Sequence, residues 1–88
     1  MPTISLFFGI TIRMYFGDHP PPHVHAAYQG FEALIDIETR AISDGRLPRR
    51  VHRLVTEWIE INEAAILENG QRAQALEPLE RIPGLDND

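Results

Sequence analysis

From Ile10 the chain alternates apolar and polar side chains: Ile10, Ile12, Met14 and Phe16 against Thr11, Arg13 and Tyr15. A period of two is the mark of a half-buried strand. Gly17-Asp18 and the run Pro20-Pro21-Pro22 end it. The proline run is expected to be extended, since it needs no backbone donors. His23 to Tyr28 reads as a second strand, with Val24, Ala26 and Tyr28 on one side and His23, His25 and Ala27 on the other. Gln29-Gly30 is a turn of hairpin length. Phe31 to Glu38 is a third strand, with Phe31, Ala33, Ile35 and Ile37 inward. Ala41 to Ser43 fit a short fourth strand, and Ile4 to Phe8 fit either a further strand or an ordered N-terminal arm.

After Leu47-Pro48 the period changes. Val51, Leu54, Val55, Trp58, Ile61, Asn62, Ala65 and Ile66 follow the spacing of one helical face. Proline suits the first helical turn, and Asn69-Gly70 suits a stop. The spacing thus predicts a helix of about 20 residues. Gln71 to Leu76 fit a short second helix, and residues 77–88 read as a poorly ordered tail. A sheet with one apolar face needs a cover, and this helix supplies it. The expected fold is α+β: a small antiparallel sheet of three to four strands packed against one long amphipathic helix, in a single domain over residues 1–76.

Composition narrows the chemistry. The chain has 88 residues and no cysteine, which excludes disulfides, thiolate zinc sites and cysteine nucleophiles. No apolar run approaches the ~20 residues of a membrane-spanning helix. The N-terminal residues lack the basic region and cleavable apolar stretch of a secretion signal, so a cytoplasmic protein is expected. Net charge is −5, unevenly placed. Through Arg53 there are six arginines against five acids; from Leu54 onward there are two against eight. An acidic balance speaks against a dedicated nonspecific nucleic-acid binder.

Three of the four histidines fall in the stretch Asp18-His19-Pro20-Pro21-Pro22-His23-Val24-His25. On a strand, His23 and His25 project from one face, roughly 6.5–7 Å apart at Cα. Three chemistries fit. The pair can converge on one divalent transition metal such as zinc, iron or manganese, with His19 or Asp18 as a third ligand. Without metal, the histidines can move protons while Arg13 holds a phosphate or oxyanion, which makes His23, His25 and Arg13 the candidate catalytic set. Alternatively, the histidines stack with Tyr15 and Tyr28 against a base or a partner protein. Against all three stands a purely architectural reading, in which the rings hydrogen-bond to loop carbonyls and Arg13 pairs with Asp36.

The helix is charged against its dipole. Arg46, Arg49, Arg50 and Arg53 crowd its start, while Glu60, Glu63 and Glu68 lie toward its end. Four arginines beside free backbone N–H groups form a candidate anion site for a nucleic-acid phosphate or an acidic partner. The structural alternative pairs Arg53 with Glu57 and Arg50 with Asp44. His52 reads as a boundary residue, and Trp58 as filler between helix and sheet.

Pro2-Thr3-Ile4-Ser5, Phe7, Gly9-Ile10, Ile12-Arg13-Met14-Tyr15, Asp18-His19, Pro21-Pro22-His23 and His25 resemble the opening of a small bacterial family, domain of unknown function 4160. Ala33-Leu34-Ile35-Asp36-Ile37-Glu38 and the helix around Leu54, Glu57 and Trp58 resemble it too. The resemblance brings no established reaction. It implies an arrangement in which members are encoded beside another small domain, as in toxin–antitoxin-like pairs. The expectation is an interaction module that binds the protein encoded by a neighbouring gene. Homodimerisation is plausible for so thin a core with free strand edges. The alternative is a small metal- or histidine-dependent hydrolase or ribonuclease.

Overall fold

The computed structural model describes residues 2–15 and 21–86. Five strands precede one helix: β1 (Thr3–Phe7), β2 (Ile10–Arg13), β3 (His23–Tyr28), β4 (Phe31–Asp36), β5 (Ile42–Gly45) and α1 (Arg49–Gln74). The strands form one antiparallel meander in the order β1-β2-β3-β4-β5. The fold is therefore α+β as expected, with five strands where three to four were expected. Both segments left open by the pattern are strands of this sheet.

Two tight turns set much of the register. Phe7 pairs with Ile10 and Tyr28 with Phe31, so Phe8-Gly9 and Gln29-Gly30 are two-residue loops. All four loop residues have positive φ, the backbone that matches the twist of a hairpin. Ile4 and Ser5 are both buried although adjacent, because the β1–β2 register shifts between Thr3 and Ser5. Such a bulge turns consecutive residues toward one side.

The core lies between the sheet and the helix. Ile10, Ile12, Val24, Ala26, Ala33, Ile35 and Ile37 are buried from the sheet side. Val51, Val55, Trp58, Ile59, Ile66 and Ala73 are buried from the helix side. Trp58 is fully buried and stacks on Phe7 at 5.6 Å between ring centroids. Two positions of the expected helical face point elsewhere. Ile61 is 72% exposed and Ala65 is exposed, while Ile59 is buried instead. Asn62 departs from helical geometry, and its side-chain amide donates to the Trp58 carbonyl at 3.0 Å.

The helix does not stop at Asn69-Gly70. It runs 26 residues, to Gln74, and no separate second helix forms. Asn69 is occupied elsewhere: its amide donates to the Glu80 carbonyl at 2.8 Å, and its carbonyl accepts the Glu80 N–H at 2.9 Å. Gly70 faces Met14, close enough that an added Cβ would meet its methyl at 3.6 Å. The stop comes at Leu76, which takes left-handed backbone at φ 58°. The Glu77 N–H donates to the Arg72 carbonyl and the Leu76 N–H to the Ala73 carbonyl, closing the end as a Schellman motif.

The expected loose tail is instead bonded to the domain over residues 77–86. The Ile82 N–H donates to the Ile4 carbonyl at 2.7 Å, and the Trp58 indole N–H donates to the Pro83 carbonyl at 2.9 Å. Ile82 and Gly84 are buried, Gly84 directly against Phe7. Arg72 bridges Glu68 at 3.0 Å and Glu80 at 3.6 Å. Its hydrogen bond to Glu68, ahead of the nearby acidic charge, holds its pKa above the usual guanidinium value.

Candidate functional site

The helix covers one face of the sheet; the other face carries the expected polar set. Cross-strand partners on antiparallel strands share a face. Thr3 pairs with Arg13, Arg13 with His25, His25 with Leu34, and Leu34 with Asp44. These five residues form one row across all five strands. His23 stands two residues back along β3 on the same face, opposite Asp36. Tyr15 follows β2 and packs edge-on against His25, with centroids 4.1 Å apart.

The two imidazoles converge. The His23 and His25 centroids lie 5.2 Å apart, tilted by 53°. Both residues are half-buried. The His23 Nδ1 lies 3.0 Å from the Pro21 carbonyl. A carbonyl only accepts, so Nδ1 carries the proton and Nε2 carries the lone pair of the neutral ring. A loop carbonyl of this kind orients the ring and favours the Nδ1–H tautomer. The metal reading needs a third ligand. Both of its candidates, Asp18 and His19, lie outside the described residues. Among the described residues no group of three or more His, Asp or Glu is arranged to hold a metal.

Arg13 does not pair with Asp36. Asp36 instead uses Oδ1 to accept the N–H groups of Glu38 and Thr39, both at 2.8 Å, and so builds the turn after β4. Among the described residues Arg13 forms no ion pair. It lines a shallow depression of about 300 Å³ together with Tyr15, His25, Glu32, Leu34 and Asp44. Asp44 and Leu34 were not anticipated as members of this set, because their place follows from pairing rather than from local pattern. A second cavity, of about 270 Å³, lies where His23, Met14 and Tyr15 meet Leu67 and Gln71 of the helix.

The four arginines of the proposed anion site sit apart from the sheet row, on α1 and the loop before it. Arg49, Arg50 and Arg53 are exposed, and Arg46 lies over the Phe31 ring at 5.5 Å. Neither Arg53–Glu57 nor Arg50–Asp44 forms as an ion pair among the described residues. The helix opens on Pro48 with no side-chain cap among the described residues. His52 closes a different contact: its ring nitrogen Nε2 lies 2.8 Å from the Arg40 carbonyl, while Arg40 reaches Glu63 at 3.1 Å.

Among the described residues no helix is long and apolar enough to cross a membrane. Neither a curated protein nor a solved structure matches the chain. A family model does match, over residues 9–69, which spans β2 to β5, the histidine stretch and most of the helix. The chain belongs to the family described as domain of unknown function (DUF4160).

Proposed function

We infer that this protein is an interaction module whose open sheet face docks a partner protein, the product of a neighbouring gene in a toxin–antitoxin-like pair. The observation that supports this reading most is the row Thr3, Arg13, His25, Leu34 and Asp44. It places an arginine, a half-buried histidine, an apolar side chain and a carboxylate on the face opposite the helix. A polar rim around a small apolar centre is the usual make-up of a non-obligate interface. The module works in the cytoplasm and needs no bound metal for docking.

Co-expression with the neighbouring gene product, followed by sizing chromatography, tests the reading. A stoichiometric complex is expected. Arg13→Asp on the sheet face should abolish it, and Ile61→Asp on the exposed side of the helix should leave it intact. Absence of a complex, or a complex indifferent to Arg13→Asp, overturns the docking surface.

The 5.2 Å approach of His23 and His25, with Arg13 directly across from His25, favours one second reading. In it the protein is a small hydrolase acting on nucleic acid, a ribonuclease in the plainest case. One imidazole removes a proton from the attacking hydroxyl, the other protonates the leaving oxygen, and Arg13 neutralises the phosphate. With a divalent transition metal, the same pair and Asp18 or His19 would be ligands instead. Arg46, Arg49, Arg50 and Arg53 would then serve as a phosphate-tracking patch. Cleavage of a defined RNA by purified protein should be lost in His23→Ala and in His25→Ala, with thermal stability little changed. Elemental analysis separates the metal form from the metal-free one. Equal growth of hosts induced for wild type and both variants, with no RNA cleavage by any of them, removes this reading.

A further inference from the structure

The open face carries both signs of charge, and it carries them on opposite sides of its own centre. Arg13 is on β2, and Asp44 is on β5, three strands away in the same row. Glu32 lies on β4, opposite Ala27. At ~4.8 Å per strand, Arg13 and Asp44 are about 14 Å apart at the backbone, too far to pair with each other. Among the described residues Arg13, Glu32 and Asp44 form no ion pair. The seam between β3 and β4, where His25 faces Leu34, lies midway between the two charges.

This distribution is self-complementary. Consider a second copy laid face to face, related by a two-fold axis that runs along the strands above the β3–β4 seam. That operation sets β2 of one copy over β5 of the other, and β3 over β4. Arg13 then meets the second copy's Asp44, with its Glu32 alongside, and His25 meets its Leu34. Each contact occurs twice, as an isologous interface demands. Two sheets stacked with nearly aligned strands is the ordinary geometry of a β-sandwich.

We propose that in the absence of its partner this protein pairs with a second copy of itself through the open sheet face, each Arg13 held by the other copy's Asp44 and Glu32. The proposal rests on the docking face argued above and adds its regulation: the homodimer and the partner complex use the same residues and exclude one another. The patch is small. Four strands of four to six residues give a footprint on the order of 400 Å², against ~800 Å² per subunit in a standard interface. A reversible dimer follows, one that a partner of better fit displaces.

Sedimentation velocity of the purified full chain over a concentration series reads this directly. The expected result is a monomer–dimer equilibrium that shifts toward monomer as salt rises, because the paired charges are partly solvated. Arg13→Asp and Asp44→Arg should each weaken self-association at least about tenfold, by setting like charges against each other twice. Mixing the two variants should restore a dimer, now a heterodimer, since each reversed charge meets its opposite. Circular dichroism confirms that each variant is folded. If either reversal unfolds the chain, the wild-type salt series alone decides. A wild type that stays monomeric throughout, a dimer indifferent to salt, folded reversals that associate as wild type does, or a mixture of folded variants that stays monomeric overturns the proposal. Partner binding is scored separately in the co-expression assay, so loss of the homodimer with an intact partner complex defeats only this inference. A homodimer that never binds the partner defeats the docking reading and the mutual exclusion that rests on it, and leaves the self-pairing standing.

Discussion

The Ser5 hydroxyl is fully buried and has no hydrogen-bond partner among the described residues. It sits where the β1 bulge turns two successive residues inward, so the serine reaches the core as a by-product of burying Ile4. An unsatisfied buried hydroxyl costs roughly 1–3 kcal/mol. Ser5→Ala should therefore raise stability, by about 1 kcal/mol, read as a higher urea midpoint at unchanged slope. At the same scale the histidine pair was legible in advance. Positions 23 and 25 share a strand face by parity alone, and the centroid distance of 5.2 Å follows from it. The carbonyl that orients the His23 ring was foreseen only in kind. Choosing Pro21 required the path of the chain before β3.

Among the elements, β5 depends on one glycine. Gly45 has φ 77°, and an added Cβ would collide with the Glu32 carbonyl oxygen, a backbone atom with little room to move. Gly45→Ala should thus separate the end of β5 from β4, at a cost of about 2 kcal/mol or more. Amide exchange should show lost protection at Arg46, whose N–H donates to Glu32, while β2 and β3 stay protected. The open-face row was half readable at this scale. The two-residue turn at Gln29-Gly30 fixes Tyr28 opposite Phe31, and counting back puts His25 opposite Leu34. The β2–β3 register had no such anchor, because a long connection carries no pairing rule. That is why parity puts Arg13 on the histidine face without showing that it stands directly opposite His25, and why a pairing with Asp36 stayed open beside it. The helix end was misread for a related reason. Asn69-Gly70 has the composition of a stop, but tertiary demands outrank it. Asn69 holds Glu80, Gly70 admits Met14, and an ordinary leucine takes the left-handed position.

At the level of the whole molecule, residues 77–86 act as a strap from the helix end to the outer strand. Ile82, Pro83 and Glu80 satisfy Ile4, Trp58 and Asn69 in turn. Proline, glycine and acidic residues made this stretch look dispensable, since local composition cannot show that Trp58 and Asn69 await partners there. Ending the chain after Leu76 should expose Phe7, leave the buried Trp58 and Asn69 groups unpaired, and cost at least about 3 kcal/mol. Chemical denaturation measures this; a truncated chain as stable as the full one would mean that the strap contributes nothing. A small domain has few such kilocalories to lose, so the truncated form should also bind its partner less well at elevated temperature.

The strap also decides how the sheet can grow. With the Ile4 carbonyl already engaged by Ile82, the β1 margin offers less to an incoming strand, whereas Ser43, Asp44 and Gly45 leave the β5 margin exposed. Accretion of further strands is therefore biased to the β5 flank, and unlimited growth through both flanks is opposed.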